Sequence, residues 1–238
     1  MLDSPLLRPV KARSTFEETF ERLATAVRLG LVEQGERLPP ERELATQLNV
    51  SRMTLRDALQ ALAQAGYLES RRGRNGGTIV VYDPQQRRTR DAGKVARDLG
   101  GTEFLDALAY RSVVEPGSAE LAARNDLDAN DRTRLIEASS AVERTTDRAS
   151  HRMADSRLHL LLAELCGSPS IAAAVAEVQG RLDELLAAIP VFDRNIAHSN
   201  SQHAAIVEAV LARQPECARC AMANHVESTA ALLRGLLA

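Results

Sequence analysis

The chain has 238 residues, 45% apolar and 26% charged, which suits two domains with buried cores. It contains no run of 18 apolar residues that would suggest a membrane span. Residues 1–90 hold 15 basic against 11 acidic side chains and residues 91–238 hold 15 against 21, so only the N-terminal part suits a polyanionic partner.

The first eleven residues lack an apolar core of signal-peptide length. Three cysteines, an odd number, fit a reducing compartment better than a disulfide framework. We therefore expect a cytoplasmic protein that does not associate with a membrane.

The N-terminal third has the pattern of three helices followed by a hairpin. Residues 1–15 show no periodicity and predict a flexible arm. Helices are predicted at 16–32, 41–48 and 52–64, and strands at 67–71 and 78–82. Together they predict a winged helix-turn-helix over residues 16–82, with the two strands as its β-wing.

The third helix and the turn of the wing carry side chains suited to DNA. One side of this helix is apolar, and its N-terminal turns present Ser51, Arg52, Thr54 and Arg56. Arginine is the side chain best matched to guanine, hydroxyl groups suit phosphates, and Arg72 with Gly73 lets a basic turn approach a minor groove. The alternative is a solvated helix face and a charged turn, but the order of the elements favours DNA binding.

Residues 83–101 are polar and predict a linker, which could include a short helix near 94–99. The segment 102–238 predicts a second, all-helical domain, so the fold class is mainly α with a C-terminal antiparallel helical bundle. The predicted helices of this bundle are 102–124, 129–146, 148–166, 169–188, 200–213 and 216–236.

One aspartate and three histidines face the interior of this bundle. Asp155 and His159 are four residues apart on one helix face, while His203 and His225 lie on apolar stripes of the last two helices. His203 precedes Gln214 by 11 residues and His225 follows it by 11. If the last two helices pack antiparallel, these two histidines would lie at the same level along the helix axes. A single inward histidine is usually an ordinary core residue, but four such groups together predict a metal site.

Three imidazoles and a carboxylate suit Zn²⁺ best, with Ni²⁺, Mn²⁺ or Fe²⁺ as alternatives. His151 has polar sequence neighbours and His198 is expected in a loop, so neither is included. Cys217 and Cys220 are expected to pack rather than bind a metal. We identify no second inward carboxylate or spare histidine that could act as a general base.

Arg111 shares a helix stripe with apolar residues and therefore points inward. A buried guanidinium requires a carboxylate partner. Glu115, four residues later, and a bound carboxylate ligand are equally suitable partners from the sequence alone. Ser199, one turn before His203, could add a hydrogen bond to such a ligand.

The N-terminal segment resembles the GntR family of bacterial regulators. The resemblance rests on Glu36–Ala45, Val50–Leu59, Gly66-Tyr67-Leu68 and Gly76-Gly77-Thr78. It implies DNA contacts at Arg42, Arg52, Thr54 and Arg56, with Gly73 at the wing tip. Pro40 stands where the family often has a serine helix cap, but proline is tolerated at a helix start.

Residues 102–233 resemble the FCD effector domain found in the FadR-type subgroup of that family. The residues that carry the resemblance are Arg111-x3-Glu115, Asp155-x3-His159, Gly167-Ser168-Pro169, Ser199-x3-His203 and His225. It implies a helical bundle that holds a divalent metal at the four ligands and takes a small organic acid as effector.

These patterns predict a homodimeric DNA-binding transcriptional regulator, which we expect to be a repressor rather than an enzyme. It would bind two-fold operator DNA, and a small carboxylate metabolite would modulate that binding. Two alternatives are a hydrolase-like metalloenzyme fused to a DNA-binding module and a regulator whose metal is purely structural.

Overall fold

The computed structural model describes residues 14–71, 77–84, 101–145, 147–188 and 193–237. These residues form nine helices and a two-stranded sheet, which confirms the mainly helical fold class. They fall into two compact units. The first consists of the residues up to Val27 together with Leu31–Asp83, and the second consists of Arg28–Gly30 together with the residues from Pro84 onward. The predicted domain limits (1–15, 16–82, 83–101 and 102–238) stay predictions, and the possible helix at 94–99 lies outside the described residues.

The first unit has the order of a winged helix-turn-helix. Its elements are α1 (Thr15–Arg28), α2 (Glu41–Gln47), α3 (Arg52–Gln64), β1 (Leu68–Arg71) and β2 (Gly77–Val80). Asn49, at φ +52°, makes the turn between α2 and α3, a conformation that asparagine tolerates. Its core is built from apolar faces of all three helices and both strands, including Leu23, Val27, Leu44, Leu55, Leu62, Leu68 and Val80.

Helix α1 ends four residues earlier than the predicted limit of 32. Gly30 has φ +72°, and the N–H of Leu31 donates to the carbonyl of Ala26 at 2.9 Å. This is the Schellman arrangement, which closes a helix at a residue in the left-handed region. Leu31, which falls within the predicted helix 16–32, consequently lies outside the observed helix and is exposed.

The wing is an antiparallel hairpin whose register pairs Leu68 with Val80 and Arg71 with Gly77. Gly77 has φ +140°, and a Cβ at this position would lie 2.9 Å from the side chain of Arg37. Glycine is therefore required at the start of β2. The predicted contacts Arg72 and Gly73 lie between the two strands in the sequence and are outside the described residues.

The second unit contains the remaining helices, joined by short connections. They are α4 (Gly101–Arg124), α5 (Ala129–Arg144), α6 (Arg148–Leu165), α7 (Pro169–Ala188), α8 (Asp193–Leu211) and α9 (Pro215–Leu237). Asp128 and Asp147 cap α5 and α6 through side-chain acceptors, and α7 and α9 begin at prolines, which suit a first helical position. Helix α9 packs against α4 and α8, and α6 packs against α4, α5 and α7.

Helix α8 begins at Asp193 rather than at the predicted residue 200. The expectation that His198 lies in a loop is therefore wrong, and His198 is an exposed residue of this helix. The segment 193–199 has no glycine or proline to interrupt a helix, although it also lacks the apolar periodicity that would reveal one. None of the helices among the described residues is long and apolar enough to cross a bilayer.

The packing of α5 can be tested with two neighbouring residues. Leu135 is fully buried, so Leu135→Ala should lower the free energy of unfolding by about 2–5 kcal/mol through the cavity it leaves. Ile136 is 50% exposed, and Ile136→Ala should cost no more than about 0.5 kcal/mol. Urea unfolding followed by circular dichroism would measure both, and equal losses would contradict the orientation of α5.

Candidate metal centre and DNA-contact surface

Four side chains with metal-ligating atoms meet inside the second unit: Asp155, His159, His203 and His225. One ligand atom from each lies within 4.8 Å of the others. The ring centroids of His203 and His225 are 4.5 Å apart, and those of His159 and His225 are 5.1 Å apart. The structure therefore brings together all four residues that the sequence predicts as metal ligands.

Two features of the fold produce this convergence. Asp155 and His159 lie one turn apart on α6 and project from the same face. Helices α8 and α9 pack together across a connection of three residues, which places His203 beside His225. The three imidazoles are at most 2% exposed, whereas the side chain of Asp155 is 17% exposed, so solvent reaches the cluster at the carboxylate.

The protonation states of Asp155 and His225 suit metal binding. Burial, assisted by the charges of His203 and His159, lowers the pKa of His225 well below 6.5 and keeps its ring neutral. Burial alone would raise the pKa of Asp155, but the hydrogen bond and charge of His203 outweigh it and hold that pKa well below 3.8. Neutral imidazoles and an ionised carboxylate are the forms that coordinate a cation.

The donor atoms also need a partner. Nε2 of His159 and Nδ1 of His203 are buried and have no hydrogen-bond partner among the described residues, while Nε2 of His203 lies 3.2 Å from Oδ1 of Asp155. Buried polar atoms without partners are costly, and a cation would satisfy one lone pair on each ring. Since three imidazoles and a carboxylate are a common donor set for a divalent transition metal, the residues fit such an ion.

Glu115 on α4 contacts both His159 and Arg111. Its Oε2 lies 2.9 Å from Nδ1 of His159 and 3.0 Å from Nε of Arg111. Burial alone would raise the pKa of Glu115, but the charges of Arg111 and His159 outweigh burial and lower the pKa to about 2. A carboxylate beside Nδ1 favours the tautomer that carries its proton there, which leaves Nε2 of His159 for the metal.

Glu115 is thus an inward carboxylate beside a candidate ligand, whereas the sequence analysis considered it only as a partner of Arg111. The signal was available, because Arg111 and Glu115 are four residues apart on one helix and an inward Arg111 implies an inward Glu115. With a pKa near 2, however, this carboxylate is a weak base at neutral pH.

Two further polar residues, which sequence reasoning missed, hold Glu115 from the other side. Gln179 on α7 donates through Nε2 to Oε1 of Glu115 at 2.7 Å. Ser156 on α6 donates in turn to Oε1 of Gln179 at 3.2 Å. Ser156 lies between Asp155 and Arg157 in the sequence, and Gln179 between Val178 and Gly180, so neither has a periodicity that would mark it as part of the site.

His225 has its own supporting residue. Nδ1 of His225 lies 3.3 Å from Oε1 of Gln202, and Nε2 of Gln202 donates to Ser228 at 3.0 Å. An acceptor at Nδ1 again favours the tautomer that leaves Nε2 for a metal. Gln202 directly precedes the ligand His203, but only the packing of α8 on α9 shows that it supports the other histidine.

Arg111 is buried, as its helix stripe predicts. Besides its contact with Glu115, its Nη1 is buried with no hydrogen-bond partner among the described residues. Both sequence-based alternatives therefore remain compatible with its surroundings. Ser199 lies on α8 one turn before His203 and is partly buried.

The residues excluded from the metal site on sequence grounds lie outside the cluster. His151 is buried on α6, and its Nδ1 lies 3.1 Å from the hydroxyl of Thr145. Cys217 and Cys220 are exposed on α9, so the expectation that they pack in the interior is wrong.

In the first unit, Arg42 and Arg52 lie on a cleft of about 350 Å³ formed where α2 meets α3. Arg42 comes from α2 and Arg52 begins α3, and both side chains are exposed. The cleft thus places two cations beside the N-terminus of α3, where backbone N–H groups also favour an anion.

Three other predicted DNA contacts cluster at the same helix start. Ser51 caps α3 by accepting from the backbone N–H of Thr54 at 3.0 Å, and the two hydroxyl oxygens are 2.8 Å apart. Arg56 donates to Oε2 of Glu41 through Nη2 at 2.9 Å and through Nε at 3.3 Å. The ion pair directs the Arg56 side chain along the surface toward α2.

Two family models match this chain in the order that the two units suggest. Residues 15–80 match the model described as bacterial regulatory proteins, gntR family, and residues 106–228 match the FCD domain. The chain belongs to the GntR family of bacterial regulatory proteins. It carries the FCD type of C-terminal domain, and the four-ligand cluster lies within that domain.

Relatives extend over nearly the whole chain. RmpR of Mycobacterium gastri, whose name describes it as an HTH-type transcriptional regulator, is 33% identical over 94% of this chain and 81% of its own length. The HTH-type transcriptional repressor NanR of Citrobacter rodentium is 32% identical over 96% of this chain and 89% of its own. The chain is therefore a transcriptional regulator of the GntR type.

Solved structures share the fold at lower identity. McbR/YncC of E. coli aligns with a TM-score of 0.59 at 17% identity, covering 95% of this chain and all of that one. A GntR regulator from Rhodococcus sp. RHA1 aligns with a TM-score of 0.53 at 21% identity, covering 94% and 99%.

Metal binding at the cluster can be tested with Zn²⁺ as probe. The purified chain should bind one equivalent of Zn²⁺ and melt at a higher temperature, because binding to the folded state stabilises it. His203→Ala should abolish both effects, whereas His198→Ala, on the exposed side of the same helix, should not. Because the pKa of His225 is depressed, proton competition at this ligand should begin only below about pH 6.5. Calorimetric titration would measure the stoichiometry, and unchanged binding by His203→Ala would contradict the assignment.

Glu115 should set the strength of that binding without being a ligand. Glu115→Gln keeps the size of the side chain but removes the charge beside His159, and we expect metal affinity to fall about 10–100-fold. Glu120→Gln is a matched control, because Glu120 lies on the same helix and pairs with Arg124 instead. Competition with a chromogenic chelator would measure both affinities, and equal values would exclude this role for Glu115.

Proposed function

We propose that this regulator is a DNA-binding repressor whose FCD domain holds a divalent metal and responds to a small organic acid. The observation that carries the proposal is the single buried network that joins Arg111, Glu115 and His159 in the second unit. It connects the candidate metal ligands to a guanidinium that still has a buried N–H group to offer.

The first unit supplies the DNA contacts in this proposal. Arg42, Arg52 and Arg56 are exposed around the start of α3, where recognition helices meet base edges and phosphates. Ser51 and Thr54 would add hydroxyl contacts to phosphates, and Arg72 with Gly73 would approach the minor groove. Since the wing turn lies outside the described residues, its part rests on sequence alone.

The second unit supplies the metal ligands Asp155, His159, His203 and His225. Zn²⁺ suits this donor set best, and Ni²⁺, Mn²⁺ or Fe²⁺ are alternatives. When bound, such an ion supplies a Lewis-acid position that an effector carboxylate can occupy. The side chain of Asp155 is the most exposed of the four, which favours access from its side.

Arg111 would recognise the acid. Its Nε faces Glu115, and the partnerless Nη1 would donate to an effector carboxylate. Ser199, one turn from His203, would add a weaker hydrogen bond. Binding of the acid can alter operator affinity only to the extent that it favours one of two states of the protein.

A homodimer on two-fold operator DNA in the cytoplasm completes the proposal. Two copies of a winged helix-turn-helix match two half-sites about one helical turn apart. Repression, rather than activation, is supported by the name of the relative NanR, which describes it as a transcriptional repressor. Against the metalloenzyme alternative, the pKa of Glu115 is lowered to about 2, so this carboxylate is a weak base at neutral pH.

The test uses the Zn²⁺-loaded full chain and a panel of carboxylic acids from acetate to citrate. At least one acid should raise the melting temperature and change the affinity for a duplex selected from random sequences. Arg111→Lys, which keeps the charge beside Glu115 but loses the fork of N–H donors, should weaken both responses at least tenfold. Arg219→Lys, an exposed arginine on α9, is the matched control.

Failure of every acid to shift melting would contradict the sensor function and favour a structural metal. Turnover of carboxylate esters or amides by the loaded chain would favour the enzyme instead.

A further inference from the structure

Met53, the second residue of α3, is 75% exposed. This exposed fraction is larger than that of the other exposed large apolar side chains of the first unit, Phe16 at 38% and Leu31 at 54%. Single exposed apolar side chains are common on protein surfaces, but this one lies in the first turn of the helix that we propose meets DNA.

The direction of this side chain follows from the register of the helix. At about 100° per residue, Met53 lies about 180° from the middle of the buried stripe of α3. That stripe consists of Leu55, Ala58, Leu59 and Leu62. Met53 therefore points straight away from the core, along the middle of the face that α3 presents outward.

The neighbours of Met53 on that face indicate which part of DNA it would meet. Arg56, Asp57 and Gln60 are exposed on the same face, within about 60° of Met53. An acidic side chain beside a phosphate would be repelled, whereas aspartate and glutamine both match base edges in the major groove. The cationic cleft with Arg42 and Arg52 lies beside this sector and offers the charge that the backbone requires.

We infer that Met53 is a specificity-determining residue that contacts the 5-methyl group of a thymine in each operator half-site. The methyl group is the apolar feature that base pairs display in the major groove, and it suits an unbranched apolar side chain. This inference rests on the proposed DNA binding by α3 and adds to it the base that one residue reads.

Arg56 fixes where that thymine lies. Met53 and Arg56 are three residues apart, about 4.5 Å along the helix axis, and stacked base pairs are about 3.4 Å apart. Arginine is the side chain best matched to guanine, so a guanine read by Arg56 would lie close to the base read by Met53. The thymine read by Met53 should therefore lie within about two base pairs of a guanine.

The experiment replaces thymines with deoxyuridine, which removes only the methyl group. A duplex is first selected from random sequences with the full chain, with and without added Zn²⁺, and each thymine of the selected half-site is then replaced singly. One position, within two base pairs of a guanine, should lose about fourfold in affinity, the value expected for burying one methyl group. Fluorescence anisotropy would measure the dissociation constants.

Three variants assign the effect to the side chain. Met53→Ala should bind the thymine and deoxyuridine duplexes equally, and Met53→Leu should retain most of the difference. Gln64→Ala, an exposed change at the far end of α3, should retain all of it. The exposure of Met53 means that neither of its substitutions removes core packing.

A deoxyuridine scan without any sensitive position would overturn the inference, as would a full penalty that persists in Met53→Ala. In either case the sequence-selective binding itself would stand, and the proposed function with it. Failure to select any sequence would instead overturn both.

Discussion

The contact of one buried carboxylate, that of Glu115, with both His159 and Arg111 is the constraint on which the second unit depends. A guanidinium is rarely buried without a paired anion, because transferring an isolated charge from water is very costly. Glu115 compensates the charge of Arg111 and at the same time orients the ring of His159. Removing Glu115 would therefore leave a buried cation unpaired and a candidate metal ligand without its tautomer.

The residues of this network come from three different helices, so the geometry of the site depends on how these helices pack. Helix α4 contributes Arg111 and Glu115, α6 contributes Asp155, Ser156 and His159, and α7 contributes Gln179. The hydrogen bond of Gln179 to Glu115 crosses from α7 to α4, and the contact of Glu115 with His159 crosses from α4 to α6. A polar network that is well satisfied fixes the relative positions of helices more sharply than apolar contacts alone.

The two units differ in how much of their chemistry can be predicted from sequence. Contacts on α3 follow from one helix and its cap, so the positions of Arg52, Thr54 and Arg56 follow from local periodicity. The clustering of the four candidate metal ligands could also be predicted, because each lies on a helix stripe and the three-residue connection places His203 level with His225. Helix ends were less predictable, since the left-handed Gly30 and the polar first turns of α8 carry no apolar signal. Gln202 and Gln179 could not be found, because their partners lie on other helices and only tertiary packing brings them together.

The charges buried around the cluster give a physical reason for an acidic effector. Apart from its histidines, this core holds the carboxylates of Glu115 and Asp155 and the guanidinium of Arg111, which together carry one negative charge in excess. A divalent cation at the four candidate ligands would change this net charge to one positive charge in excess. Because an uncompensated charge is unfavourable in a medium of low dielectric constant, one carboxylate is the ligand that restores neutrality. A neutral sugar or an amine would leave the excess uncompensated or increase it, so these charges favour the acidic effector that we propose.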